Sequence, residues 1–358
     1  MMKIKLEDFG YKSNFDDLLE NNEFKKSDIG RVSAVYKNRF VILTESGEIS
    51  ATLTGNFQFS IENQTELPTV GDWVVLQIFD EEGALIIKVL PRFSFLERRA
   101  VGKGFERQLI AANIDYGLIV EAVGENFKLN RLERYLAVCN SAKIEPIILI
   151  TKIDLMADEQ VNDIVAIIKN RISDIDIFAI SNVSGTGIDN LNSILKRGKT
   201  YCLLGLSGVG KSTLINNLFG KDIIKTKSIS DSTQKGVHTT THRELFILNN
   251  GSLIIDNPGM REIGLTDSSD ALEITFDKIT ELSTECKFSD CTHTHEKNCA
   301  ILNAIDSGSL EKSQYDNYMK MKKEQFHFQA SVVEKRKRDK EFGKMIKNVM
   351  KNKKKKRN

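Results

Sequence analysis

Long apolar runs are missing from this 358-residue chain. Runs such as Ile147 to Ile150 and Leu253 to Ile255 fall far short of the roughly 20 residues that a membrane-spanning helix requires, so no segment is expected to cross a bilayer. The opening Met1-Met2-Lys3-Ile4-Lys5-Leu6-Glu7-Asp8 has neither the apolar stretch nor the small-residue cleavage site of a secretory leader, which points to the cytoplasm. Cysteine is scarce as well. Of five, three crowd between Cys286 and Cys299, a distribution that suits a reducing compartment and metal ligation better than a disulfide framework. With 41% hydrophobic and 28% charged residues, the composition excludes a disordered, collagenous or mini-protein reading, and the length allows two or three domains.

Net charge is almost absent, at +2, but it is unevenly spread. From Glu311 to Asn358 there are 17 Lys/Arg against 6 Asp/Glu, leaving 34 against 43 in residues 1–310. Runs such as Lys335-Arg336-Lys337-Arg338 and Lys353-Lys354-Lys355-Lys356-Arg357 can neutralise phosphates and gain affinity from counterion release. A solvated, disordered end at residues 331–358 is the alternative reading, since no aromatic residue follows Phe342 to stack on bases.

After a mixed, acidic N-terminal extension (1–27), β-branched and aromatic residues gather in five short segments: Arg31–Tyr36, Phe40–Thr44, Ile49–Leu53, Trp73–Phe79 and Leu85–Val89. Turn signals such as Ser46-Gly47 and Gly71-Asp72 separate them, which predicts a small β-barrel over residues 28–95. Five strands fit an OB-fold, which often binds oligonucleotides; strand count alone fits an SH3-like barrel nearly as well. Residues 96–109, with Glu97-Arg98-Arg99, read as a linker.

Beyond it the pattern changes to apolar strands (Tyr116–Val120, Pro146–Ile150, Ile175–Ile180, Tyr201–Leu204, Leu253–Asp256) alternating with helical stretches (Leu129–Ala142, Glu159–Ile172, Leu191–Lys196, Lys211–Phe219). Such alternation predicts an α/β domain with a parallel sheet over residues 110–275. Cys139 and Cys202 fall in these apolar patterns and are expected to pack the core.

The sharpest motif is Gly205-Leu206-Ser207-Gly208-Val209-Gly210-Lys211-Ser212, which satisfies G-x-x-x-x-G-K-[ST] between a strand and a helix. Glycines allow backbone N–H groups to face phosphate oxygens at a helix N-terminus. Gly205, Ser207, Gly208, Val209, Gly210, Lys211, Ser212 and the adjacent Thr213 are therefore the candidate phosphate-binding set, with Lys211 reaching the β- and γ-phosphates and Ser212 offering its hydroxyl to Mg²⁺. Asp256-Asn257-Pro258-Gly259 ends a strand, where Asp256 can hold Mg²⁺ and the Gly259 N–H can meet the γ-phosphate. Between the two lies Gly236-Val237-His238-Thr239-Thr240-Thr241, in which Thr240 is the candidate switch residue for Mg²⁺ and γ-phosphate.

Upstream stands Thr151-Lys152-Ile153-Asp154, of the form N/T-K-x-D. A carboxylate at Asp154 can accept from guanine N1–H and N2, a pair that adenine lacks, while Lys152 lies along the base. The motif resembles the guanine motif of GTPases, and Ser181 and Asn182 follow a strand as does the loop of that family whose backbone N–H meets guanine O6, with Asn where Ala is usual there. The order is thus base motif, base loop, P-loop, switch threonine, D-x-P-G, whereas ordinary GTPases begin with the P-loop. It resembles a circularly permuted GTPase. Behind it, Cys286-x₄-Cys291-x-His293-x₅-Cys299 supplies three thiolates and an imidazole, a complete tetrahedral set for one structural Zn²⁺, with His295 as the alternative imidazole.

Barrel, permuted GTPase and zinc module together resemble the ribosome small-subunit-dependent GTPase A family, over roughly residues 28–330. Gly71-Asp72, Pro91-Arg92, Asn113-Ile114-Asp115, His238 to Thr241 and Gly259-Met260-Arg261-Glu262 look like its signatures. The resemblance implies an OB-fold, a GTPase domain and a helical zinc domain (276–330) in a late assembly factor that binds the small ribosomal subunit and its rRNA, with GTP hydrolysis to GDP stimulated there; a monomer is expected. Met260 stands where many GTPases place a water-orienting glutamine, so slow intrinsic hydrolysis is expected. The residue matching the family's proposed substitute is His238, and an imidazole can orient or deprotonate water at neutral pH. The rival is a P-loop kinase acting on a small molecule, which would need an acceptor site with its own base.

Overall fold

The computed structural model describes residues 5–17, 24–37, 39–80, 83–99, 107–224, 243–256 and 269–326. These fall into two compact units, one within Met1–Arg99 and Glu106–Gly264, the other within Leu265–Asn358.

The first unit contains both the barrel and the α/β sheet. Strands β1 (Ile29–Val35), β2 (Phe40–Thr44), β3 (Gly47–Leu53), β4 (Trp73–Asp80) and β5 (Gly83–Val89) close in the order β1-β2-β3-β5-β4, with β4 returning to β1. β3 runs parallel to β5, from Ser50↔Gly83 to Leu53↔Ile86, while the other pairs are antiparallel. That Greek-key closure decides for the OB-fold over the SH3-like alternative. Alternating side chains, among them Val32, Ile42, Ile49, Val74, Leu76 and Ile86, fill the barrel interior.

Strands β6 (Phe95–Arg99) and β7 (Arg107–Ala112) pair antiparallel, so the described ends of the segment 96–109 lie in strands. β8 (Tyr116–Ala122), β9 (Glu145–Thr151), β10 (Ile177–Ala179), β11 (Thr200–Leu204), β12 (Glu244–Ile247) and β13 (Leu253–Asp256) then form a sheet ordered β10-β9-β8-β11-β13-β12. All are parallel except β12, which also meets β1 of the barrel at Ala34↔Glu244. β11, buried at all five positions, lies at the centre as an uninterrupted apolar strand should. Helices Leu129–Ser141, Asp158–Arg171, Ile188–Ile194 and Lys211–Phe219 follow β8, β9, β10 and β11.

The N-terminal extension contributes more core than its composition suggests. Leu6, Phe9, Tyr11 and Phe15 are buried, and Tyr11 meets the edge of buried Trp73, ring centroids 5.3 Å apart. Arg31, fully buried on β1, donates to the carbonyls of Phe9, Gly71 (3.2 Å) and Asn113 (2.9 Å), tying extension, barrel and α/β sheet together.

In the second unit, helices Ser269–Thr275, Asp277–Thr284 and Ala300–Asp306, with helical residues 312–326, surround Phe276, Ile279, Ile301, Leu310 and Met321. No helix among the described residues is long and apolar enough to cross a membrane.

Candidate nucleotide and metal sites

Because β8, β9, β10, β11 and β13 run the same way, the segments leaving their carboxyl ends line one edge of the sheet, where open α/β sheets bind ligands. Thr151, Ser181, Gly205 and Asp256 each stand at or just past such an end.

The phosphate loop follows β11 and opens the helix Lys211–Phe219. Gly205 has no room for a side chain, since a Cβ there would lie 2.4 Å from the Val120 carbonyl oxygen. Gly210 takes φ +100° at the helix N-cap, and its Cβ would lie 2.8 Å from Asn182 Nδ2. Lys211 Nζ donates to the carbonyls of Gly205 (2.8 Å) and Leu206 (2.7 Å). Burial pushes its pKa down to about 8, and the negative charge of Asp256 opposes that shift. Asp256 itself is buried at the end of β13. Ser212 and Thr213 are half-buried, while Ser207 and Gly208 are exposed and Val209 is buried.

The two base-motif segments converge beside this loop. Lys152 adopts a left-handed φ of 61° and opens the short 3-10 turn Ile153–Leu155, which leaves the Asp154 carboxylate exposed. Ser181 Oγ, buried, donates to Asp154 Oδ1 at 2.5 Å and accepts from the N–H groups of Val183 (3.2 Å) and Ser184 (3.1 Å). One hydroxyl therefore fixes both the carboxylate and the shape of the second loop. The buried Thr151 hydroxyl donates to the Val209 carbonyl at 2.7 Å, reaching from base motif to phosphate loop. Asn182 Nδ2 donates to the Gly210 carbonyl at 3.0 Å, and Asn217 Nδ2 donates to the Asn182 backbone carbonyl at 2.9 Å. Asn217 is a contact that sequence reasoning missed; it lies outside every motif, and its only signal is its position on the helix that the P-loop begins. His238, Thr240, Gly259 and Met260 lie outside the described residues.

In the second unit the ligand atoms of Cys286, Cys291, His293 and Cys299 all lie within 4.8 Å of one another. Cys286 Sγ and Cys299 Sγ are 3.8 Å apart, and each is 3.5 Å from His293 Nδ1. Two Zn–S bonds of about 2.3 Å at the tetrahedral angle separate the sulfurs by about 3.8 Å, and one Zn–S with one Zn–N bond of about 2.0–2.1 Å gives about 3.5 Å. The donor set thus fits zinc in both chemistry and spacing. His293 is buried with φ 63°, and its carbonyl accepts from Tyr315 Oη at 2.7 Å, which holds the turn. His295 is exposed and stands 2.8 Å from Thr294 Oγ1, so the imidazole of the cluster is that of His293.

An OB barrel, a sheet whose P-loop strand comes fourth of six in the chain yet lies between β8 and β13, and a Cys₃His cluster define a circularly permuted P-loop GTPase with a metal-binding unit. A family model described as RsgA GTPase matches residues 89–266, and one described as 50S ribosome-binding GTPase matches residues 200–348. The chain is 36% identical over 346 residues to small ribosomal subunit biogenesis GTPase RsgA 1 of Bacteroides thetaiotaomicron, covering 96% of both chains. It is 42% identical over 321 residues to the protein of the same description from Listeria innocua, covering 89% of both. The crystal structure of YjeQ from Thermotoga maritima superposes with a TM-score of 0.62 at 26% identity, covering 84% of this chain and 98% of that one. The chain belongs to the RsgA GTPase family.

Proposed function

We propose that this protein hydrolyses GTP in the cytoplasm as a monomeric assembly factor, binding the small ribosomal subunit and its rRNA late in maturation and turning over faster when bound. The observation that carries the enzymatic part is the meeting of Asp154, Ser181 and the phosphate loop at one edge of a permuted sheet, linked by the Thr151 and Asn182 hydrogen bonds. The ribosomal part rests on the relatives, which are described as small ribosomal subunit biogenesis GTPases.

In this reading Asp154 accepts from guanine N1–H and N2, Lys152 lies along the base, and the loop at Ser181 and Asn182 supplies an N–H to O6. N–H groups from Gly205 to Thr213 and the Lys211 ammonium hold the phosphates, and the Gly259 N–H meets the γ-phosphate. Ser212, Thr240 and Asp256 would hold Mg²⁺, which neutralises charge developing on the phosphate oxygens. His238 orients the attacking water, with Met260 unable to do so, and Thr240 closes on the γ-phosphate; Lys211 stabilises the transferring group. One Zn²⁺ held by Cys286, Cys291, His293 and Cys299 is structural, because four protein ligands leave no open position.

Base choice tests the site directly. Asp154→Asn is expected to weaken GTP binding and to favour xanthosine triphosphate, whose N1–H and O2 edge suits an amide. Unchanged GTP affinity in a nucleotide titration of this variant would remove Asp154 from the site.

A further inference from the structure

We propose that Asn182 is a strut between the guanine loop and the phosphate loop, through which base binding and β-phosphate binding strengthen each other. The proposal rests on the guanine-nucleotide reading above and assigns this residue a task in addition to base contact.

Three bonds converge on Asn182. Its Nδ2 donates to the Gly210 carbonyl at 3.0 Å, while its own backbone carbonyl accepts from Asn217 Nδ2 at 2.9 Å. Asn217 Nδ2 also lies 3.4 Å from Asn182 Oδ1. The guanine loop is therefore fastened to the helix Lys211–Phe219 at two places, the N-cap carbonyl and a side chain two turns further on. The Asn182 backbone N–H has no hydrogen-bond partner among the described residues, which leaves it for an acceptor such as guanine O6.

The link to phosphate follows from the geometry of the peptide unit. In a trans peptide the carbonyl of one residue and the N–H of the next point in opposite directions across a rigid plane. The Gly210 carbonyl accepts from Leu214 N–H (2.9 Å) within the helix and from Asn182 Nδ2 outside it, so the Lys211 N–H is held pointing the other way, out of the helix N-terminus. Thr151 treats the preceding plane alike: its bond to the Val209 carbonyl aims the Gly210 N–H away from Thr151. An alanine at position 182, usual in this loop, can make no such bond. Closeness is enforced from the other side as well, because the space beside Gly210 is filled by Asn182 Nδ2. A base that orders Asn182 through its N–H therefore also orders the N–H donors of the phosphate loop, and the converse holds by reciprocity of coupled sites.

The test compares the affinities of GMP, GDP and GTP for the full-length protein and for Asn182→Ala. One lost hydrogen bond of about 1 kcal/mol corresponds to about a fivefold effect. GDP and GTP should weaken by about that factor while GMP stays unchanged, so that the ratio Kd(GMP)/Kd(GDP) contracts. Equal weakening of all three nucleotides would make Asn182 a base contact only and overturn the proposal; so would no change. Asn182→Asp keeps shape and replaces the donor with an acceptor facing the Gly210 carbonyl, so it should contract the ratio further, and it serves if the alanine variant does not fold. A wild-type protein that fails to prefer GDP over ADP would instead remove the guanine reading on which the strut rests.

Discussion

At the scale of the residue, Lys211 carries a pH signature. Loss of solvent on burial holds its pKa at about 8, below the ordinary lysine value of 10.5, against the opposing charge of Asp256. Between those values the unfolded chain binds more protons than the folded one, so the cost of burying the Lys211 ammonium falls away and stability rises with pH through the window. Bound phosphate reverses the preference, because a nearby anion favours the ammonium. Nucleotide binding at about pH 8.5–9 should therefore take up protons, and affinity should fall as pH rises there. Calorimetric titrations in buffers of different ionisation enthalpy measure that uptake; its absence, or its persistence in Lys211→Met, would contradict the assignment. The individual site residues were legible where chemistry forces a spelling, as in the P-loop and Thr151-Lys152-Ile153-Asp154. Asn217 was not, because a side chain that binds a neighbouring loop needs no motif, only a place on the right helix face.

At the scale of the element, the Cys₃His segment should fold as a metal-dependent unit. Its four ligands sit on turns with left-handed residues at His293 and Asn298, and metal binding of such a set supplies on the order of 10 kcal/mol of folding free energy. Cys291→Ser should release the zinc and raise hydrogen exchange over residues 283–300, while amides of β8, β9 and β11 keep their protection, because that sheet has its own buried core. Native protein without zinc, or a variant that retains it, would contradict the structural role. The strands were legible from alternation and turn residues, with the same bounds at Phe40–Thr44 and Leu253–Asp256. Their closure was not, since choosing between OB and SH3-like barrels depends on the parallel β3–β5 pair, a non-local contact. The N-terminal extension escaped for a different reason. Leu6, Phe9, Tyr11 and Phe15 lie on 3-10 turns and connecting chain, so their burial leaves neither a helical nor a strand period to detect.

At the scale of the whole molecule, permutation changes which segments are covalently joined while sheet order stays fixed. The base-motif segments come first in the chain, yet β8 lies between β9 and β11, so those segments and the phosphate loop still meet at one edge. Motif order made the permutation legible in the sequence, because each motif must follow a strand whose place in the sheet is set by its ligand. We expect this site to serve the small ribosomal subunit, although one matching family model is described by the large one. Steady-state GTP turnover by the full-length protein, alone and with purified small or large subunits, decides it most directly. Slow turnover alone, with a large increase on adding small subunits that large subunits do not reproduce, is the expected result. Turnover that is fast in isolation, indifferent to small subunits, or raised equally by large ones would contradict it.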